Sequence, residues 1–210
     1  MIHRQPARTE HDAMSFFKMM LVFAPWIAFL IIARGSLFML KLGIIVAAIL
    51  TAVMVITRLH RGVIMWAGIV FFSYAFIAVA LLNNMWTVRY MGVLANVALA
   101  GGTWLGLALR RPFTLEYARE HTDKSVWDDP LFVRTNYLLT LAWAIAFSIN
   151  AALAWQRSVR AAMPAWAYES ISYTLLVSVM FASTWYPQYV RRRREAARQQ
   201  VDGAGKASAV

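Results

Sequence analysis

Long apolar runs separated by short basic stretches leave this chain few ways to fold. About 20 mainly apolar residues, rising 1.5 Å each, cross the roughly 30 Å of hydrocarbon in a bilayer. Six runs meet that length: 15–33, 36–57, 62–82, 90–109, 130–156 and 166–189. Lipid offers the backbone no hydrogen bonds, so each run is expected to be helical. The expected fold is an all-α integral membrane protein, a bundle of six transmembrane helices. A short interfacial helix is expected in the loop between helices four and five. Residues 1–14 precede the bundle. A basic tail, 191–210, follows it, and its small, polar stretch from Val201 on is expected to be disordered.

Local signals refine the boundaries. Pro25 marks a kink in the first run, and Lys41 lies near one end of the second, where it can snorkel. Only Arg34-Gly35 separates the first two runs, which implies a tight antiparallel hairpin. Asp129 can cap the fifth helix, and Pro130 suits its first turn, where the missing N–H would be unpaired anyway. The first run does not read as a cleaved leader: Glu10 and Asp12 precede it, and Ile31-Ile32-Ala33 lacks the small residue expected three before a cut.

Composition supports a membrane protein. Hydrophobic residues make up 60% of the chain and the mean hydropathy is +0.54; soluble domains lie nearer 45–50% apolar. The formal charge of +11 comes from bases lying between apolar runs, so it reads as topology and anionic-lipid contact, not nucleic-acid binding. With the N-terminus inside, 15 Lys and Arg fall on inside segments and five on outside ends. That bias places both termini in the cytoplasm. The absence of cysteine excludes disulfides, thiolate metal sites and a cysteine nucleophile.

Ionisable groups at membrane depth are costly and mark function by default. Of the ten acids only Glu169 falls inside a run, and none of the four histidines does. A bis-histidine haem, a His-carboxylate metal site and a multi-carboxylate relay are thereby excluded from the bundle. No catalytic residue, metal or cofactor is expected, and the chain is expected to be non-enzymatic.

Four sets of residues remain as candidates. Asn96, Asn150 and Glu169 can line a polar path; equally, the amides can bond between helices and Glu169 can pair with Arg157 or Arg160 at a helix start. Gly102 and Gly106 form a GxxxG pair, suited to a homodimer face or to packing within the chain. In the 110–134 loop, Arg110 and Arg111 can contact lipid phosphate, while Phe113, Tyr117 and Trp127 can rest on headgroups or a membrane-protein partner. Thr114 can cap a short helix starting near Leu115. The Arg191–Arg194 run reads as an anchor that stops translocation.

The order of several short strings resembles the intracellular septation protein A family of small bacterial inner-membrane proteins. These strings are Phe23-Ala24-Pro25, the turn Asn83-Asn84-Met85-Trp86 with Arg89, Arg110-Arg111-Pro112, and Asn136 followed by Leu141-Ala142-Trp143-Ala144. The Phe113–Glu120 stretch departs from that family. It is closer to a set of bacterial membrane proteins sharing a Pro-Phe-Thr-Leu-x-Tyr-Ala-Arg-Glu string. The resemblance implies a role near septation and the cell envelope through protein partners, with no known reaction. A transporter or channel for a small solute or lipid is the alternative.

Overall fold

The computed structural model describes residues 23–57, 62–120 and 122–207, and among these there is no strand. The N-terminal part of the first expected span, 15–22, lies outside the described residues, as does the basic link at 58–61. The helices are α1 (Ala24–Ile32), α2 (Leu37–Ile56), α3 (Val63–Ala75), α4 (Met85–Arg89), α5 (Met91–Ala108), α6 (Phe113–Glu120), α7 (Pro130–Val159) and α8 (Ala165–Ala207). The end of α3 widens into a π-helix over Phe76–Leu81.

Among the described residues four segments are long and apolar enough to cross a membrane: Leu37–Ile56, Val63–Leu81, Met91–Ala108 and Pro130–Val159. They coincide, within a few residues, with expected spans two to five. The sixth expected span is helical throughout within α8, but it is not among these four. Ser170, Ser172, Tyr173, Thr174 and Ser178 dilute its apolar content. Only 28–39% of each apolar segment is buried by the protein itself. Side chains such as Phe38, Val70, Leu82 and Val177 face outward, more than half exposed. A protein in water would not leave so much apolar surface uncovered. The long apolar helices fit a chain that crosses a membrane several times.

The turns follow from chemistry readable in the sequence. Gly35 sits at φ +80°, closed to most side chains, and turns the chain from α1 into α2, whose first turn is capped by the Ser36 hydroxyl accepting from the Met39 N–H at 3.2 Å. Asn83 takes φ 51°, and Asn84 caps α4 through Thr87 at 3.1 Å. Arg110 ends α5 at φ 57°, with the Arg111 N–H reaching back to the Gly106 carbonyl at 2.8 Å. That is the Schellman closure with arginine in place of the usual glycine. Asp129 caps α7 by accepting from Leu131 at 3.0 Å, as its position before Pro130 implies.

Packing is layered. α5 lies most extensively against α7, and α3 packs on α5 from the other side; α1 pairs with α2, and α8 with α7. Two aromatic clusters fill the core. Trp26 stacks on Phe71 at 5.1 Å, with Phe72 and Phe29 around them. Phe23 stacks on Trp143 at 5.2 Å, and Phe113 meets Phe23 edge-on at 6.0 Å. Such pairs contribute about 0.5–1.5 kcal/mol each beyond area burial.

Two expectations are corrected here. Phe113 is 3% exposed and buried in the second cluster, so its ring is not on the headgroups. Thr114 lies inside α6 and does not cap it; its hydroxyl turns into the bundle and bonds to α7. α8 runs on through the polar stretch from Val201 to Ala207.

Candidate functional site

Where α6, the start of α7 and the later part of α8 meet, the protein forms an open cavity of about 520 Å3. Pockets that hold a drug-sized ligand span about 300–1,000 Å3. Each helix contributes one face at helical spacing. α6 supplies Phe113, Thr114, Tyr117 and Ala118, and α7 supplies Leu131, Phe132, Thr135, Asn136 and Leu139. From α8 come Ser183, Thr184, Pro187, Gln188, Arg191 and Arg194. Phe23, the first described residue, also lines it.

The wall between α6 and α7 is a buried polar seam. The Thr114 hydroxyl donates to the Asn136 carbonyl at 2.6 Å and meets the Thr140 hydroxyl at 2.7 Å. The Thr114 N–H, unpaired within the first turn of α6, points at the same Thr140 hydroxyl at 3.4 Å. Asn136 Nδ2 donates to the Phe132 carbonyl at 2.9 Å. A short helix that satisfies its first N–H groups on a neighbouring helix is held by that neighbour. On the α8 side, Trp143 Nε1 donates to the Ser183 hydroxyl at 3.0 Å. Pro187 has no N–H to give the Ser183 carbonyl, so the helix ladder is broken where α8 faces the cavity.

Charge collects at one end. Arg191 and Arg194, one turn apart, line the cavity together. Arg193 stacks over the Tyr189 ring at 5.1 Å instead. Arg194 pairs with Asp129, the capping residue of α7, which joins α8 to α7 across the cavity. Asp123 also lines the cavity, but its carboxylate is engaged by its own turn. The Ser125 N–H donates to it at 2.8 Å and the Ser125 side chain adds to this, holding the fully exposed carboxyl below its usual range.

Behind the cavity, α6 also braces α3. The Val63 N–H, an unpaired donor at the start of α3, bonds to the Glu116 carboxylate. Burial raises the Glu116 pKa, outweighing the Val63 bond and the nearby Arg111 charge that lower it; the Glu120 charge raises it further. Among the described residues Glu116 Oε2 has no hydrogen-bond partner.

The residues singled out from the sequence separate into several places. Arg110 and Arg111 are exposed at the end of α5. Tyr117 lines the cavity, whereas Trp127 closes its own loop by donating from Nε1 to the Thr122 carbonyl at 3.1 Å, with Arg119 and Lys124 beside its ring. Gly102 and Gly106 face α3 of the same chain. A Cβ on Gly102 would stand 3.0 Å from Ala67 Cβ, and one on Gly106 would stand 3.0 Å from the Arg111 carbonyl. Asn96 donates to its own helix at Gly92, 2.8 Å away. Asn150 is 2% exposed, and neither its Oδ1 nor its Nδ2 has a partner among the described residues. Glu169 pairs with Arg157 at 3.3 Å, both nearly half exposed. None of Asn96, Asn150 and Glu169 lines the cavity.

Thr135, Asn136, Ser183, Asp129, Arg191 and Arg194 were not singled out as site residues from the sequence. A signal was present: 183, 184, 187, 188, 191 and 194 recur at helical spacing, and Pro187 interrupts an apolar run. No family model, no curated protein and no solved structure matches the chain.

Proposed function

We propose that the chain is a six-helix bundle of a bacterial inner membrane that binds an amphiphilic molecule and catalyses no reaction on it. The first span runs into α1 and the sixth is the apolar part of α8; both termini are cytoplasmic, as the basic residues favour. The cavity is the observation that carries this reading. Phe23, Phe113 and Leu139 give it an apolar lining, Thr135 and Asn136 add hydroxyl and amide groups, and guanidinium groups stand at one end. An apolar body with a few placed polar groups is the usual form of a site that holds and orients a small ligand. In this orientation α6 lies at the cytoplasmic headgroup level, where an amphiphile can enter from the lipid.

The septation resemblance sets this site in context. Phe23 and Asn136, two of the residues that carry the resemblance, line the cavity, and Trp143, a third, stacks on Phe23. In the second reading the chain acts at the envelope through protein partners, which would dock on the exposed turn at Asp123–Ser125 beside the cavity.

Filling the cavity tests the first reading. Ala118 lines it from α6, so Ala118→Trp should remove bound amphiphile while the protein stays monodisperse in detergent. Native mass spectrometry with an added monoacylglycerol should show a 1:1 adduct on the native chain and none on the variant. Equal adducts on both would sink the proposal.

A further inference from the structure

Four consecutive arginines follow the last apolar run, and an anchor at the membrane surface would use all four alike. The structure divides them. Arg193 lies on Tyr189, whereas Arg191 and Arg194 share the face of α8 that lines the cavity. Among the described residues Arg191 takes part in no ion pair, and Arg194 is neutralised by Asp129 from the start of α7. Asp123, the other acid of the lining, accepts from Ser125 and forms no ion pair with either arginine among the described residues.

Building on the amphiphile reading above, we infer that the ligand head is a phosphate group held between Arg191 and Arg194, and that Asp129 occupies the place of that phosphate when no ligand is bound. Two guanidinium groups one helical turn apart offer planar forks of donors, which fit the several oxygens of one phosphate better than a single carboxylate. A phosphate monoester carries close to two negative charges near neutral pH, enough to match both arginines at once. Its approach competes with Asp129 for Arg194. The ion pair that joins α7 to α8 therefore opens as the ligand seats, and re-forms when it leaves. The apolar part of the ligand lies along Phe23, Phe113 and Leu139.

The test measures equilibrium binding to the full chain in nanodiscs of zwitterionic lipid, with three probes: lysophosphatidate, the monoacylglycerol with the same acyl chain, and inorganic phosphate. Lysophosphatidate is expected to bind at least about tenfold tighter than the monoacylglycerol. In Arg191→Gln/Arg194→Gln that ratio should fall to about one, with partial recovery in the double lysine variant, which keeps charge and loses the fork. Asp129→Asn keeps a good helix cap but removes the competing charge, so it should tighten lysophosphatidate binding several-fold. A gain of affinity cannot come from misfolding. Equal binding of the two acyl probes by the native chain overturns the phosphate assignment and leaves the amphiphile reading intact. If no acyl probe binds, the amphiphile reading itself fails. Displacement of lysophosphatidate by an equal concentration of inorganic phosphate would overturn the lipid as source and assign the clamp to free phosphate.

Discussion

Among the described residues, Asn150 and Glu116 both carry buried polar atoms without partners, and they make opposite demands. Asn150 lies in the packed core between α7 and its neighbours with its amide unbonded. Burying an unsatisfied amide costs more than replacing it with an apolar side chain of similar size. Asn150→Leu is therefore expected to match or exceed the native chain in thermal stability, read by unfolding in detergent. A loss of several degrees would mean that the amide holds a bound water or ion. Glu116 differs because it is a charge outside the apolar spans, and its pKa is raised chiefly by burial. The folded state disfavours the ionised form. The stability from this group is whole below its ordinary value of 4.5 and is lost as pH rises through its higher folded value. Glu116→Gln keeps an acceptor for the Val63 N–H and removes the charge. It should raise the melting temperature at neutral pH, and the gain should vanish as pH falls below about 4.5.

At the scale of the helix, what decides packing is how near two backbones can come. α5 approaches α3 through Gly102 and Gly106, and at Gly106 the nearest atom is the main-chain carbonyl of Arg111, in the turn that closes α5. Gly106→Ala should lower stability by about 1–3 kcal/mol, the usual cost of overpacking, even though alanine favours the helix. Differential unfolding of the purified variant measures it. Legibility also divides by element. Spans two to five were readable because a bilayer sets their length and excludes charge, leaving long uninterrupted signals. α6 was readable as a helix but not in its role. A short amphipathic helix shows the same pattern whether its apolar face meets lipid or protein, and the charges around Phe113 suggested lipid. The cavity was harder still. It joins faces of α6, α7 and α8, and no local pattern links residues so far apart in the chain. The arginine run hid its division into two faces because adjacency in sequence conceals rotation about the helix.

For the molecule as a whole, topology is the property most open to direct measurement. The chain has no cysteine, so a single introduced thiol reports one position without background. With six spans and cytoplasmic termini, Ser36→Cys and Ala161→Cys should react with an impermeant maleimide from the outer face of intact cells lacking an outer-membrane barrier. Ser125→Cys should react only after the membrane is opened. Labelling of all three from one side would exclude the six-span arrangement.

One consequence follows from Pro187. A helix bends most easily where its hydrogen-bond ladder is interrupted. In α8 that point lies beside the cavity, between the part packed on α7 and the arginine-bearing extension. A load on the far end of α8 is thus a lever acting on a hinge at the cavity wall. A tug there should be felt first at the opening, through the Arg194–Asp129 pair that ties the extension to the start of α7.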